Sequence, residues 1–279
     1  MVHLYYKVLI DGIEIAIFDS DNKTYLANFI HSTLQGYVKR IEIVAGYYDC
    51  NDKWHNYEEY WGGRLLMIDI RIPSIYGWTE AIRGMRNPLN SWKNSDSDIN
   101  EYGEGEIGPK DLKLMKSLGT AGPSHGKYKR MITVYVDITA PLYWWKEFDT
   151  YKVGTVANSC STMHKIQEKA FGLSDFSHEH LNEESLDILS KVIELLNDYR
   201  SKFIEQKDKT YWWQMIQMLP SSYNQKRTVM LNYEVLTNIY NTRKGHKLDE
   251  WEKFREWIRS LPYSELITQE EKEEDTYEW

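Results

Sequence analysis

A chain of 279 residues with 42% hydrophobic content can form one large domain or two small ones around a substantial core. Its net charge of −8 removes the counterion-release drive toward nucleic acid, and no long basic stripe offers itself to anionic lipid, so neither nucleic acid nor membrane is an expected partner. Cys50 and Cys160 are too few and too far apart for a disulfide framework. No apolar run reaches the roughly 20 residues that span a bilayer, and residues 1–7 lack a signal-like pattern, so a cytoplasmic protein is expected.

Residues 4–17 read as a β-hairpin, with apolar runs flanking Asp11-Gly12. Residues 40–45 and 64–72 read as strands, the second buried because Leu65-Leu66-Met67-Ile68 is nearly continuous. Residues 87–108 read as a loop. Gly103-Glu104-Gly105-Glu106-Ile107-Gly108 has the glycine spacing of a dinucleotide-binding turn. However, no strand is expected before it, and two glutamates sit where phosphate would approach, so that reading is rejected.

Pro109 opens a short helix through Leu118. Residues 127–138 alternate, with Ile132, Val134, Val136 and Ile138 on one face, as in a half-buried strand. Pro141 starts a helix carrying Tyr143 to Tyr151, and a polar stretch of small residues follows at 154–162. Asn182 caps a long amphipathic helix that reaches about Phe203, with Glu183 and Glu184 in its first turn. Beyond it the pattern gives a helix over 211–219 stopped by Pro220 and a short strand at 228–231. Helices over 233–243 and 248–260 follow, parted by Gly245. Residues 270–279 carry six acids and one lysine, a solvated tail.

Three groups of residues could carry chemistry. Ser177-His178-Glu179-His180 with Glu183 and Glu184 offers nitrogen and oxygen metal ligands, but at a helix entry where acids are expected anyway and without metal-site spacing. Cys160 has His164 four residues on, so a helix there would put thiol and imidazole on one face. Asn232, Asn238, Asn241 and Arg243 load one helix with amides, although Asn is a mediocre helix former. Asn232 can cap that helix, and the others suit either a solvated face or a heteroaromatic ring with carbonyls and ring nitrogens, such as a flavin or a uracil.

Two separated blocks carry a family resemblance. Ala140-Pro141, followed by Trp144-Trp145-Lys146-Glu147 and the stretch to Ile166, resembles without a gap the A-P…R-H-R…S-x-R-Y segment of flavin-dependent thymidylate synthases, the ThyX family. Pro123-Ser124-His125 is similar to that family's P-x-E-H. Leu219-Pro220, then Asn232, Leu236, Asn238 and Arg243, then Trp251, resemble L-P…N-A-R-x-L-x-N…R…Q-W-E. The resemblance spans roughly residues 107–262.

The resemblance implies an α+β, ThyX-like fold, a central antiparallel sheet with helices packed on it, preceded by a β-rich N-terminal extension. It divides the chain into residues 1–100, 101–268 and an acidic tail at 269–279. It further implies a homotetramer with flavin at subunit interfaces. The bound flavin would be FAD or FMN, served by reduced nicotinamide and a folate one-carbon donor. The reaction would be reductive one-carbon transfer to C5 of a pyrimidine deoxynucleotide, a small-molecule substrate.

By the same resemblance His125, Tyr151, Lys152, Asn232 and Asn238 would hold the cofactor, and Glu147, Asn158, Cys160 and Arg243 would line the substrate. Catalytic roles would fall to Arg243 and Cys160. This chain departs from the family where charge matters. R-H-R is Thr150-Tyr151-Lys152, its preceding Gln is Glu147, and R-Y is Thr162-Met163. Each charge-assisted phosphate contact contributes about 1.5–3 kcal/mol, so losing two or more weakens a phosphorylated ligand by roughly two to four orders of magnitude. Lys127, Lys129, Arg130 and Lys165 are the cations that could replace them. A catalytically inactive nucleotide- or flavin-binding protein is therefore the alternative, with a Cys160-dependent transferase behind it.

Overall fold

In the computed structural model, residues 68–71, 73–100 and 105–269 are described in full, together with the backbone of four strands nearer the N-terminus. The chain divides into two units, residues 1–65 and 66–279. In the first unit β1 (Tyr5–Ile10) and β2 (Ile13–Asp19) form the expected antiparallel hairpin. β3 (Ile41–Tyr48) pairs with β1, and β4 (Trp54–Asn56) with β3, giving the order β2-β1-β3-β4.

The second unit is built on an antiparallel sheet whose centre is β9. Its strands are β5 (Asp69–Ile70), β6 (Ser74–Tyr76), β9 (Thr133–Pro141), β10 (Val156–Ser159) and β11 (Asn224–Asn232). The order is β10-β11-β9-β5, with β6 also on β9. Residues 66–100, grouped with the extension in the sequence reading, thus supply strands to this unit. The alternation seen in the sequence is real: Val134, Val136, Ile138 and Ala140 of β9 face the core with Val229 and Leu231 of β11. The strand starts later than the alternation suggests, because residues 126–130 form a 3-10 turn (Gly126–Arg130).

Helices cover the apolar face. α1 (Trp78–Arg86) has buried Trp78, Ala81, Ile82 and Met85 at helical spacing, and α2 runs Pro109–Thr120. α3 (Leu142–Phe148), α6 (Tyr233–Thr242), α7 (Asp249–Ser260) and the short α8 (Glu265–Thr268) complete this core. α4 (Glu183–Gln206) and α5 (Lys209–Met218) pack on each other around a smaller core of Phe171, Phe176, Leu189, Leu196 and Met215. Asn182 caps α4 by accepting from Ser185 N at 2.9 Å.

The 87–108 segment is a correction. It is not a plain loop: it holds two 3-10 turns and the pair β7 (Asp98–Ile99) and β8 (Gly105–Glu106). Asp111 on α2 organises it. This fully buried carboxylate accepts from Arg86 Nε (2.6 Å), Ser95 Oγ (2.6 Å), Ser97 Oγ (2.7 Å) and two backbone amides. A row of hydroxyls, amides and one distant arginine closing on a single acid has no local periodicity, so the sequence conceals it.

Burial alone would raise the Asp111 pKa, but these hydrogen bonds more than offset it and hold the carboxyl below its ordinary value. The stability it contributes is therefore complete above the unfolded carboxylate pKa of about 4 and lost as pH falls through the folded value. Asp111→Asn leaves Arg86 buried and uncompensated, and is expected to cost about 3–5 kcal/mol in denaturant unfolding at neutral pH. The loss should shrink on acidification, and a penalty that stays constant down to the acid limit would contradict this role.

Candidate functional site

Two chain reversals create the site. β9 runs into α3, which ends at Phe148 with Asp149 as its cap. Tyr151 follows, and the chain turns back at Gly154, in the left-handed region at φ 78°, to enter β10. β10 lies along β11, which ends at Asn232 and passes directly into α6. The C-terminal ends of α3 and α6 meet as a result.

Arg243, the residue that closes α6, ties the junction together. Its Nε donates to Tyr151 Oη at 2.7 Å, Nη1 to Glu147 Oε2 at 2.9 Å and Nη2 to the Glu147 carbonyl at 3.4 Å. Its guanidinium lies over the Trp251 ring at 4.5 Å and the Tyr151 ring at 5.2 Å. Tyr151 Oη also meets Thr242 Oγ1 at 2.8 Å. Three of the residues singled out in the sequence, Glu147, Tyr151 and Arg243, thus converge across roughly a hundred positions of chain.

Asn232 caps α6: its Oδ1 accepts from Glu234 N (3.1 Å) and Val235 N (3.0 Å). Its Nδ2 lies against Gly154, where an added Cβ would sit 3.2 Å from that nitrogen and 3.1 Å from Val235 Cγ2. Beside Gly154, Thr155 Oγ1 is buried with no partner among the described residues. The amide donor, the orphaned hydroxyl and the bare glycine form a cradle at the foot of α6. Asn238 is exposed one turn and a half along the same helix.

Asn158 and Cys160 stand on the edge strand. Asn158 is opposite Thr228, and Cys160 N donates to Lys226 O at 2.9 Å, continuing the ladder. Cys160 is extended, not helical, so the proposed helical face shared with His164 does not form. The thiol is exposed. Gln225 Nε2 donates to Cys160 O (2.8 Å) while its Oε1 accepts from Arg227 Nε (3.0 Å). Arg227 in turn pairs with Asp149 at 2.8 Å and covers the Trp145 ring at 4.2 Å. His125 heads the 3-10 turn and is exposed, as is Lys152.

The four cations considered as replacements divide. Arg130 is bound to the Glu234 carboxylate and Lys165 to Glu168. Lys129 is only 4% exposed, and burial lowers its pKa against the opposing pull of Glu234. Lys127 is exposed. The histidine-rich segment has other tasks: His178 Nδ1 bonds to the Phe176 carbonyl (2.7 Å), Glu179 accepts from Ser177 Oγ (2.7 Å), and His180 lies 3.2 Å from Asp249. Among the described residues no three His, Cys, Asp or Glu side chains form a cation-sized group.

The neutral donors Asn232 Nδ2 and Thr155 Oγ1 at the N-terminal end of α6, with Asn238 exposed further along it, suit a planar ring with carbonyls and ring nitrogens, while Arg243 lies about 15 Å away at the other end of the helix. They are therefore consistent with the ring of a flavin. The sequence pointed to Arg243 and Asn232 by residue type. Trp251 as the platform, Gly154 and Thr155 were missed. A glycine between Lys152-Val153 and Thr155 was the visible signal for a close approach.

No protein-family model matches the chain, and no curated protein matches it in sequence. Solved structures do match. Flavin-dependent thymidylate synthase ThyX from Helicobacter pylori, complexed with FAD and dUMP, superposes with a TM-score of 0.54 at 17% identity, covering 72% of this chain and 98% of that chain. A second structure of that enzyme with FAD and dUMP gives the same figures. The UMP/dUMP methylase PolB from Streptomyces cacaoi, bound with 5-Br UMP, matches with a TM-score of 0.49 at 12% identity over 72% of this chain and 94% of that chain. At such identities the ThyX likeness establishes a shared fold.

Asn232 combines a cap and a free amide donor, and the two separate by mutation. Asn232→Ala should lower unfolding stability by about 1 kcal/mol, whereas Asn232→Asp, an equally good cap, should hold it within a few tenths. Equal losses in both variants would show that the cap is not what Asn232 contributes.

Proposed function

We propose that this protein is a ThyX-like, flavin-dependent enzyme whose reaction is one-carbon transfer to C5 of the pyrimidine ring of a nucleotide or nucleoside. The observation that carries the reading is the convergence of Arg243, Tyr151 and Glu147 at the C-terminal end of α6, with the Asn232–Gly154 cradle at the other end of the same helix, on a fold shared with flavin-dependent thymidylate synthases. Asn232 and Asn238, with Tyr151, Lys152 and His125 around them, would hold the cofactor. When bound, a reduced flavin would supply hydride for a transfer whose carbon comes from a folate donor, with reduced nicotinamide as the source of electrons.

The chain's own residues have definable tasks in this reading. Trp251 and Tyr151 fix Arg243 so that its outer N–H groups can polarise a ring carbonyl without reorganising. Glu147 both orients that guanidinium and offers an acceptor beside it. Asn158 and Cys160, exposed on the edge strand, would line the substrate side. The aromatic packing around Trp251 keeps water from the inner face of Arg243. No nucleophile on the protein is required.

The open face of the sheet favours an oligomer, as the resemblance implies. Tyr76 and Tyr135 are 52% and 47% exposed there, opposite the core face of β9, and Val156 of the edge strand β10 is 60% exposed. Light scattering of the full chain should give a mass that is a multiple of 33.2 kDa, and a strictly monomeric protein would count against this use of the face.

A second reading is favoured by one observation: Thr150-Tyr151-Lys152 stands where the family has R-H-R. In that reading the site binds flavin or a pyrimidine compound without turnover. Visible spectroscopy of purified protein, followed by titration with FAD and FMN, tests the leading proposal. Visible absorbance of a bound flavin is expected, reduced by Arg243→Ala. A colourless protein that takes up neither flavin sinks it. Flavin binding without methylation of any deoxyuridine compound moves the assignment to the second reading.

A further inference from the structure

What an incoming ligand first meets at the Arg243 junction is acid. The Glu147 side chain is 45% exposed, while that of Arg243 is 13% exposed, pressed on Trp251 and bonded to Tyr151. The guanidinium is thus neutralised from its solvent side. The two other arginines near the site are matched as well, Arg227 to Asp149 and Arg130 to Glu234. A phosphate monoester approaching here would have to displace a carboxylate or sit beside it, and either is unfavourable.

The same arrangement suits an uncharged ring. Nε of Arg243 is spent on Tyr151, but Nη1 and Nη2 each keep a second hydrogen, and they lie next to a carboxylate that accepts. Donor beside acceptor is the complement of a pyrimidine imide edge, in which a carbonyl oxygen neighbours the N3–H.

We infer that the site selects an uncharged pyrimidine, a nucleoside rather than its phosphate, and that Glu147 is the specificity-determining residue. This deepens the pyrimidine reading above and rests on it. The half-exposed Glu147 carboxylate repels phosphate and accepts from N3–H.

Isothermal calorimetry on the full chain, with 2′-deoxyuridine and its 5′-monophosphate as the probes, tests this. The expected result is that the nucleoside binds at least as tightly as the monophosphate. Glu147→Gln, isosteric and half-exposed in the native protein, should raise the affinity for the monophosphate relative to that for the nucleoside about tenfold or more. If the wild-type protein binds the monophosphate tenfold more tightly than the nucleoside, the inference is overturned while the pyrimidine reading stands. An equal shift for both ligands in Glu147→Gln also overturns it. If neither ligand binds with or without added flavin, the pyrimidine reading itself falls, and this inference with it.

Discussion

Trp251 is fully buried against Trp144 and Phe148, and the face it turns outward is covered by the guanidinium of Arg243. That contact joins three helices. Trp144 and Phe148 belong to α3, Trp251 to α7, and Arg243 closes α6. Because Phe254, Tyr151 and His246 lie against its other sides, the indole cannot move without opening the core, and Arg243 is fixed by what lies beneath it. An arginine held this way has lost its rotamer freedom before any ligand arrives, which is the condition for a pre-organised polar group. Tyr151 and Glu147 can then bond to a guanidinium whose position is already set.

The sheet serves the same point from the other side. β11 reaches Asn232 with Leu231 facing the core, and the next residue, Tyr233, is fully buried with its hydroxyl on the Pro262 carbonyl. The strand-to-helix transition is therefore anchored on both sides, and Asn232 can serve as cap and amide donor together. Gly154 lets the chain return close enough to place Thr155 beside that amide. Gly154 takes its positive φ without steric cost, and the buried orphan hydroxyl of Thr155 beside it is the group that costs stability at this corner.

Elements with strong periodicity were legible in the sequence. β9 showed itself by alternation, α6 and α7 by apolar spacing with Gly245 between them, and α4 by Asn182 and its acids. The N-terminal hairpin was visible from Asp11-Gly12. β10 was hidden because all four of its residues are exposed on an edge strand, so it has no inward face to alternate. α1 was overlooked although Trp78, Ala81, Ile82 and Met85 do lie at helical spacing. Its start offers no side-chain cap, only Gly77 at φ 91° with the Met131 carbonyl against it. Within the site, residue types pointed to Arg243 and Asn232. The pairing of Glu147 with Arg243 could not be read, because it joins positions 96 residues apart. The acidic tail and the Asp11-Gly12 turn lie outside the described residues.

Whether a flavin ring occupies the corner formed by Asn232 and Gly154 decides the assignment. A crystal structure of the full chain grown with saturating FAD is the most direct measurement. The account predicts isoalloxazine density in contact with Asn232 and Gly154, with Arg243 still stacked on Trp251. FAD density elsewhere on the molecule, or none at saturation, would contradict it.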